Sequence, residues 1–202
     1  MNIWTLAIAT DGVGKDSKLV GITYHKVTGI PVHNTILVDT GALPEKTIDF
    51  HGVTNSVYHN EQVSVFEAQA MMSLEIPEAQ DTFVFVNNKG FVQKYLTDWP
   101  VMNYIVDITK LGTVFLKTVE HAKEYQLAKG LWVDGEYRRI RDILEAACDH
   151  TSYKKWLQKY DIQGSGPYPS AQVLAIETLF RSIWSEVSAE EPALSISDMD
   201  NI

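Results

Sequence analysis

The sequence predicts an α/β fold built on a mixed five-stranded sheet, and three observations lead to this prediction. The chain opens with three consecutive segments of strand-like composition. Two more short apolar runs follow later in the chain, and segments with helical spacing separate them. Strands joined by short turns pair antiparallel, whereas strands joined through helices pair parallel, so this order predicts both kinds of pairing in one sheet.

The first three strands are predicted as a meander. Ile3 to Ala9 is a nearly continuous apolar run, which is typical of a central strand buried on both faces. Asp11 to Gly14 favours a turn after it. The second strand, Lys18 to Val27, and the third, Ile30 to Val38, are rich in Val, Ile, Thr and Tyr and flank a short turn at Thr28 and Gly29.

Helices and strands alternate in the middle of the chain. Apolar residues recur near helical spacing between Asn60 and Leu74, which predicts a helix with an apolar face. Thr82 to Val86 is a short apolar run that predicts a fourth strand, and the spacing from Phe91 to Leu96 turns helical. Tyr104 to Ile108 predicts the fifth strand.

The remainder of the chain is predicted to be helical, with one interruption. Helices are expected over Leu111 to Tyr125 and Arg138 to Ala147, and the helical pattern resumes at Trp156 to Tyr160. Two glycines and two prolines between Gly164 and Pro169 predict a loop. The last helix, Ser170 to Val187, carries an apolar stripe and is expected to pack against the sheet.

These elements predict one domain over residues 1–187. The remaining residues, 188–202, contain four acidic and no basic side chains, so we expect a disordered acidic tail. Such a tail can dock into a basic and apolar pocket of another protein, although an ordinary solubilising terminus is the commoner explanation.

Composition restricts the functional classes. The net charge of −9 argues against a protein whose whole surface binds phosphate backbone, so any nucleic-acid contact must be local. The single cysteine, Cys148, cannot form an internal disulfide, which favours a reducing cytoplasm. The sequence shows neither a secretory signal nor an apolar run long enough to span a bilayer, so no membrane partner is expected.

The order of elements, together with His51-Gly52-Val53-Thr54 after the third strand, resembles the DEDDh (DnaQ-like) 3'-5' exonucleases. That family carries Asp-x-Glu-Thr-Thr-Gly on the first strand, a His-Gly-Ile-Thr loop, His-Asn-Ala-x-Phe-Asp after the fourth strand, and His-x-Ala-x-x-Asp-Ala on the last helix. Residues 86–92 look like the third motif and residues 169–175 like the fourth. The resemblance covers roughly residues 3–187 and implies a three-layer ribonuclease-H-like fold.

The catalytic residues of the family are missing in this alignment. The two first-strand carboxylates fall on Ala7 and Ala9, and the helix aspartate falls on Val92. The general-base histidine falls on Pro169 and the last aspartate on Leu174. Because a pair of divalent metals needs carboxylate ligands, the alignment predicts a protein without metal cofactors and an apolar pocket in place of the metal site.

Two carboxylates remain near the expected site. Asp11 follows the first strand and, with His51 or Asn88, could hold one Mg or Mn ion in a relocated site, or it could be a turn residue that accepts backbone N–H groups. Asp107 ends the fifth strand, at a position that is more often a helix cap than a metal ligand.

The resemblance also implies a nucleic-acid cleft. His51 and Thr54 would lie beside the terminal nucleotide, with Asn88 and Phe91 lining the same cleft. The same residues also suit structural roles, a loop with a helix cap for His51 and Thr54, and a core position for Phe91.

One basic stretch interleaved with aromatic residues suits single-stranded nucleic acid, although a solvated helix face explains it too. It comprises Arg138, Arg139, Arg141, Lys154, Lys155 and Lys159, with Tyr137, Tyr153 and Trp156 between them.

These observations lead to the expectation of a catalytically inactive, exonuclease-like scaffold whose partner is single-stranded nucleic acid or a nucleic-acid-processing protein. Two alternatives remain open at this point: an active metal-dependent 3'-5' exonuclease with relocated ligands, and a protein-interaction module that does not bind nucleic acid. A small acidic chain with such a core would suit a phage or another mobile element.

Overall fold

The computed structural model describes residues 2–12, 14, 16–39, 41, 61–79, 82–108, 153–163 and 169–190. Its strands are β1 (Asn2–Thr10), β2 (Leu19–Lys26), β3 (His33–Leu37), β4 (Thr82–Val86) and β5 (Ile105–Asp107). Its helices are α1 (Val65–Glu75), α2 (Lys89–Leu96), α3 (Tyr153–Lys159) and α4 (Pro169–Glu190), with a 3-10 turn at Pro100–Asn103.

The five strands form one mixed sheet in the order β3-β2-β1-β4-β5. β1 pairs antiparallel with β2, and β2 antiparallel with β3. β4 lies parallel to β1, and β5 parallel to β4. The structure therefore confirms the predicted α/β fold and its five-stranded mixed sheet, with β1 at the centre.

Alternate residues of β1 face opposite sides of the sheet, and each side has its own helices. Trp4, Leu6 and Ile8 belong to the larger buried cluster, which also contains residues of α1 and α2. The side chains between them project to the other face. β1 is buried along almost its whole length, as its apolar run predicted.

Helix α4 covers the second face of the sheet, against β1 and β2. Its residues Val173, Ile176 and Phe180 are buried. The ring of Phe180 lies 5.9 Å from that of Phe85 on β4. The described helices therefore lie on both sides of the sheet and shield β1 from water on both faces.

β2 and β5 are each one residue shorter at either end than predicted, whereas β3 and α1 begin several residues later, for identifiable reasons. β3 begins at His33 rather than Ile30. The chain before it turns through Gly29, which has a φ of 72°, and the Lys26 N–H closes the turn on the Val32 carbonyl at 2.8 Å. Helix α1 begins at Val65 rather than Asn60, because Val63 forms a parallel bridge with Val38 beyond the end of β3.

Helix α4 extends to Glu190 and does not stop at Val187. The predicted helices at 111–125 and 138–147 lie outside the described residues, as do positions 164–168 of the predicted loop and positions 191–202 of the predicted tail. Within the described part of the chain, no helix combines the length and apolar composition that crossing a bilayer requires.

Candidate functional site

The two aligned positions on β1 lie beneath α4 in tightly packed surroundings. Ala7 pairs with Thr23 and Ala9 with Gly21, and both alanines are buried. A methyl group placed on Gly21 would lie 3.9 Å from the Ala9 side chain and 3.4 Å from the Ile36 carbonyl oxygen. Ala9 also packs with Val20 and Leu37 in a small apolar cluster. Neither alanine can ligate a hard cation.

Two of the other three aligned positions, Val92 and Leu174, do not join these two alanines. Val92 is buried with Trp4 and Ile8 in the cluster on the opposite face of the sheet. Leu174 is 49% exposed, whereas its neighbour Val173 is fully buried. Pro169 is buried at the start of α4. The structure therefore does not gather the five positions around one apolar pocket, because helix periodicity and strand alternation direct them to different sides.

Asp11 has the geometry of a turn residue. Its Oδ1 accepts from the Lys18 N–H at 2.6 Å, and its own N–H donates to the Lys18 carbonyl at 3.1 Å. The carboxylate thus holds the connection between β1 and β2. Among the residues that the structure describes, no three His, Cys, Asp or Glu side chains form a group that could hold a metal ion.

Asn88 and Asp107 act together at the start of α2. The Asn88 side chain accepts from the Phe91 N–H at 3.0 Å, and Asp107 Oδ2 accepts from the Lys89 N–H at 3.0 Å. Lys89 Nζ donates in turn to the Ile105 carbonyl at 2.8 Å. Both side chains therefore satisfy helix N–H groups that would otherwise lack partners. Asp107 is therefore a helix cap, the commoner role at its position, and the helix that it caps is the one that precedes its strand.

Phe91 is half-buried and packs against the larger core cluster. Its ring lies 5.2 Å from that of Tyr95 in an edge-to-face arrangement. The Tyr95 hydroxyl is hydrogen-bonded to Ser17, and Lys94 Nζ donates to the Gly14 carbonyl at 2.6 Å. Helix α2 thus holds the loop between β1 and β2, through residues that no sequence motif singled out.

The remaining predicted nucleic-acid contacts are only partly within the described chain. His51, Thr54, Arg138, Arg139 and Arg141 lie outside the described residues. The three lysines of the basic stretch lie on α3 and are exposed; they are Lys154, Lys155 and Lys159. Lys159 Nζ lies 4.9 Å from the centre of the Tyr160 ring, an aromatic residue outside the set that the sequence singled out.

A polar cluster that the sequence analysis did not anticipate joins α4 to β2. His25 Nδ1 lies 2.5 Å from Glu177 Oε2, and both side chains are largely buried. The other oxygen of Glu177 accepts from Arg181 Nε at 2.8 Å. Arg181 also donates to the Val27 carbonyl at 2.8 Å. Only the i, i+4 spacing of Glu177 and Arg181 could have been found from the sequence.

A second such cluster joins α1 to the opposite face of the sheet. Asn34 Nδ2 donates to the Tyr24 hydroxyl at 3.2 Å and to Glu75 Oε1 at 3.1 Å. Burial, followed by the nearby Glu75 carboxylate, raises the pKa of Tyr24 well above its ordinary value. The hydroxyl is therefore held in its neutral form and serves as a structural group.

No protein-family model matches this chain, and no curated protein matches it either.

Proposed function

We propose that this chain is a catalytically inactive, exonuclease-like scaffold with the ribonuclease-H-like fold. The strand order supports the proposal: three antiparallel strands are followed by two parallel ones, with β1 central. This is the order that the resemblance to DEDDh exonucleases implies. The last helix, which carries the fourth motif in that family, packs against β1 and β2 here.

Ala7 and Ala9 support catalytic inactivity, because they stand at the two positions of β1 where the resemblance implies metal-binding carboxylates. Hydrolysis through paired divalent ions needs carboxylates that neutralise the ions while a water molecule is activated. Both alanines are buried, and the nearest carboxylate in sequence, Asp11, accepts a backbone hydrogen bond from Lys18. A buried methyl group also avoids the repulsion that unpaired carboxylates would create at this position.

A nuclease assay tests the proposal. We expect the purified full chain to leave single-stranded DNA and RNA intact in the presence of Mg or Mn, with Asp11→Ala behaving identically. Metal-dependent degradation that disappears in Asp11→Ala would instead establish the active exonuclease with relocated ligands. Binding of Mn to the unaltered protein, but not to Asp11→Ala, would count in the same direction.

The kind of partner is tested separately, by oligonucleotide binding at low and high salt. A nucleic-acid scaffold is expected to bind at low salt and to lose binding as salt rises, because phosphate contacts release counterions. Replacing Arg138 and Arg139 together by alanine should remove that binding. Absence of binding at low salt would favour a protein-interaction module, a role that the net charge of −9 supports.

A further inference from the structure

Helix α1 presents an apolar face to solvent. Phe66 is 78% exposed and Leu74 is 87% exposed. Ala70, which is also exposed, lies one turn from each of them, so the three side chains follow one line along the helix. We call this line the α1 stripe. Met71, 38% exposed, lies beside it.

The α1 stripe is not needed for packing against the sheet. Ala68 and Met72 already bury the opposite side of α1 in the larger core cluster. A surface helix ordinarily carries polar residues on its outer side. Phe66 and Leu74 are therefore unusual at their positions. Contiguous exposed apolar side chains of this kind mark surfaces that bind another molecule.

The surroundings of the α1 stripe are acidic. Residues 61–79 include four glutamates and neither lysine nor arginine; the glutamates are Glu61, Glu67, Glu75 and Glu78, and all are exposed. Asp98 adds another exposed carboxylate nearby, since its carbonyl oxygen lies 3.4 Å from Gln69 Nε2 of α1.

We propose that the α1 stripe is the docking surface for a basic amphipathic helix of a protein partner, a proposal that rests on the scaffold function and specifies its protein-binding form. The apolar face of such a helix would cover Phe66, Ala70 and Leu74, while its lysines and arginines would lie against the carboxylates. A second copy of α1, a nucleic acid or an anionic membrane would bring like charges together, so each is disfavoured at this surface.

A synthetic peptide of about five helical turns provides the probe. It carries leucines on one face and lysines elsewhere, and a scrambled peptide of the same composition serves as its control. We expect the full chain to bind the amphipathic peptide saturably and the scrambled one much more weakly. Phe66→Ser and Leu74→Ser should each weaken binding by about tenfold or more, which is about 1.4 kcal/mol.

Ile30→Ser is the matched control variant, because Ile30 is also 82% exposed but lies at the turn between β2 and β3. This variant should bind the peptide like the unaltered chain. Equal binding by Leu74→Ser and Ile30→Ser would overturn the proposal, and so would equal binding of the two peptides. Since all three replaced side chains are exposed, the variants should remain folded, which circular dichroism checks.

Two other outcomes would assign the surface to a different occupant and overturn the proposal. Dimers in sedimentation equilibrium that dissociate on Leu74→Ser would assign it to a second copy. A large loss of unfolding stability in Leu74→Ser, but not in Ile30→Ser, would show that the chain itself covers the face. Neither outcome bears on the scaffold function, because the nuclease assay decides catalytic inactivity independently of the peptide.

Discussion

Two buried threonines on adjacent strands differ in how their hydroxyl groups are satisfied. Thr23 Oγ1 lies 3.1 Å from Thr35 Oγ1, so these hydroxyls form a hydrogen bond between β2 and β3. Thr5 on β1 is fully buried, and its hydroxyl has no hydrogen-bond partner within the described part of the chain. A buried hydroxyl that lacks a partner has lost its hydration without compensation.

This difference predicts opposite effects of the same substitution. Thr5→Val should be more stable than Thr23→Val by about 1 kcal/mol, because the first removes an unsatisfied group and the second removes a hydrogen bond. Unfolding by urea, followed by circular dichroism, measures both free energies. If Thr5→Val proved the less stable of the two, the Thr5 hydroxyl would have to be bonded in solution.

At the scale of single elements, the start of α1 is fixed by a capping box. The Glu67 N–H donates to Ser64 Oγ at 3.2 Å, and Glu67 Oε2 accepts from the Ser64 N–H at 2.8 Å and from its hydroxyl at 2.7 Å. These hydrogen bonds lower the pKa of Glu67 below its ordinary value of 4.5. The bond from the Ser64 side chain has the larger effect, and the bond from the Ser64 backbone the smaller.

The lowered pKa makes the stability of α1 depend on pH. The folded chain binds the Glu67 proton less tightly than the unfolded chain, so the contribution is complete above the unfolded pKa and is lost as pH falls through the folded pKa. Glu67→Gln keeps an acceptor but cannot titrate. We therefore expect the unaltered chain to exceed Glu67→Gln in stability at about pH 7, and this excess to shrink at about pH 3. Urea unfolding of both proteins at the two pH values measures this difference in stability. A difference that does not change with pH would contradict the prediction.

Element boundaries show where the sequence was informative. The strand β4 was predicted without error, and the ends of β1 and β2 differ from prediction by a single residue each. The start of α1 was misplaced because Val63 pairs with Val38, a contact that depends on chain distant in sequence. Local periodicity predicts that an element exists, but the capping residues and the tertiary pairing together decide where it begins.

At the scale of the whole molecule, the cluster of His25, Glu177 and Arg181 links the last helix to the opening strands. Glu177 is central, since one carboxylate oxygen lies against the His25 ring and the other against the Arg181 guanidinium. The Glu177 side chain is only 12% exposed, whereas that of Arg181 is 43% exposed. Removing the carboxylate leaves the largely buried His25 ring without its charged neighbour, while Arg181 keeps its hydrogen bond to the Val27 carbonyl.

Glu177→Gln should therefore lower the free energy of unfolding by about 1–3 kcal/mol. This loss is smaller than that expected on breaking a fully buried ion pair, because water reaches Arg181. The matched control is Glu78→Gln, which alters an exposed glutamate and should change stability little. Urea unfolding compares the two variants. Equal stabilities would show that the cluster does not hold α4 on the sheet.

The sequence by itself determined the class of fold, the five strands and their division into a meander and two later strands, because strand composition, turn residues and helical spacing are local properties of the chain. It also marked Ala7 and Ala9 as positions without carboxylates, which no tertiary arrangement can alter.

Only the tertiary structure decided which of the marked residues lie together. It placed Val92 and the two alanines on opposite faces of the sheet, left Leu174 half-exposed, and brought Asp107 to the start of the preceding helix, α2. It also brought His25 to Glu177 and left the outer side of α1 open. Such contacts depend on how strands pair and helices pack across long stretches of sequence, and neither spacing nor composition encodes them one segment at a time.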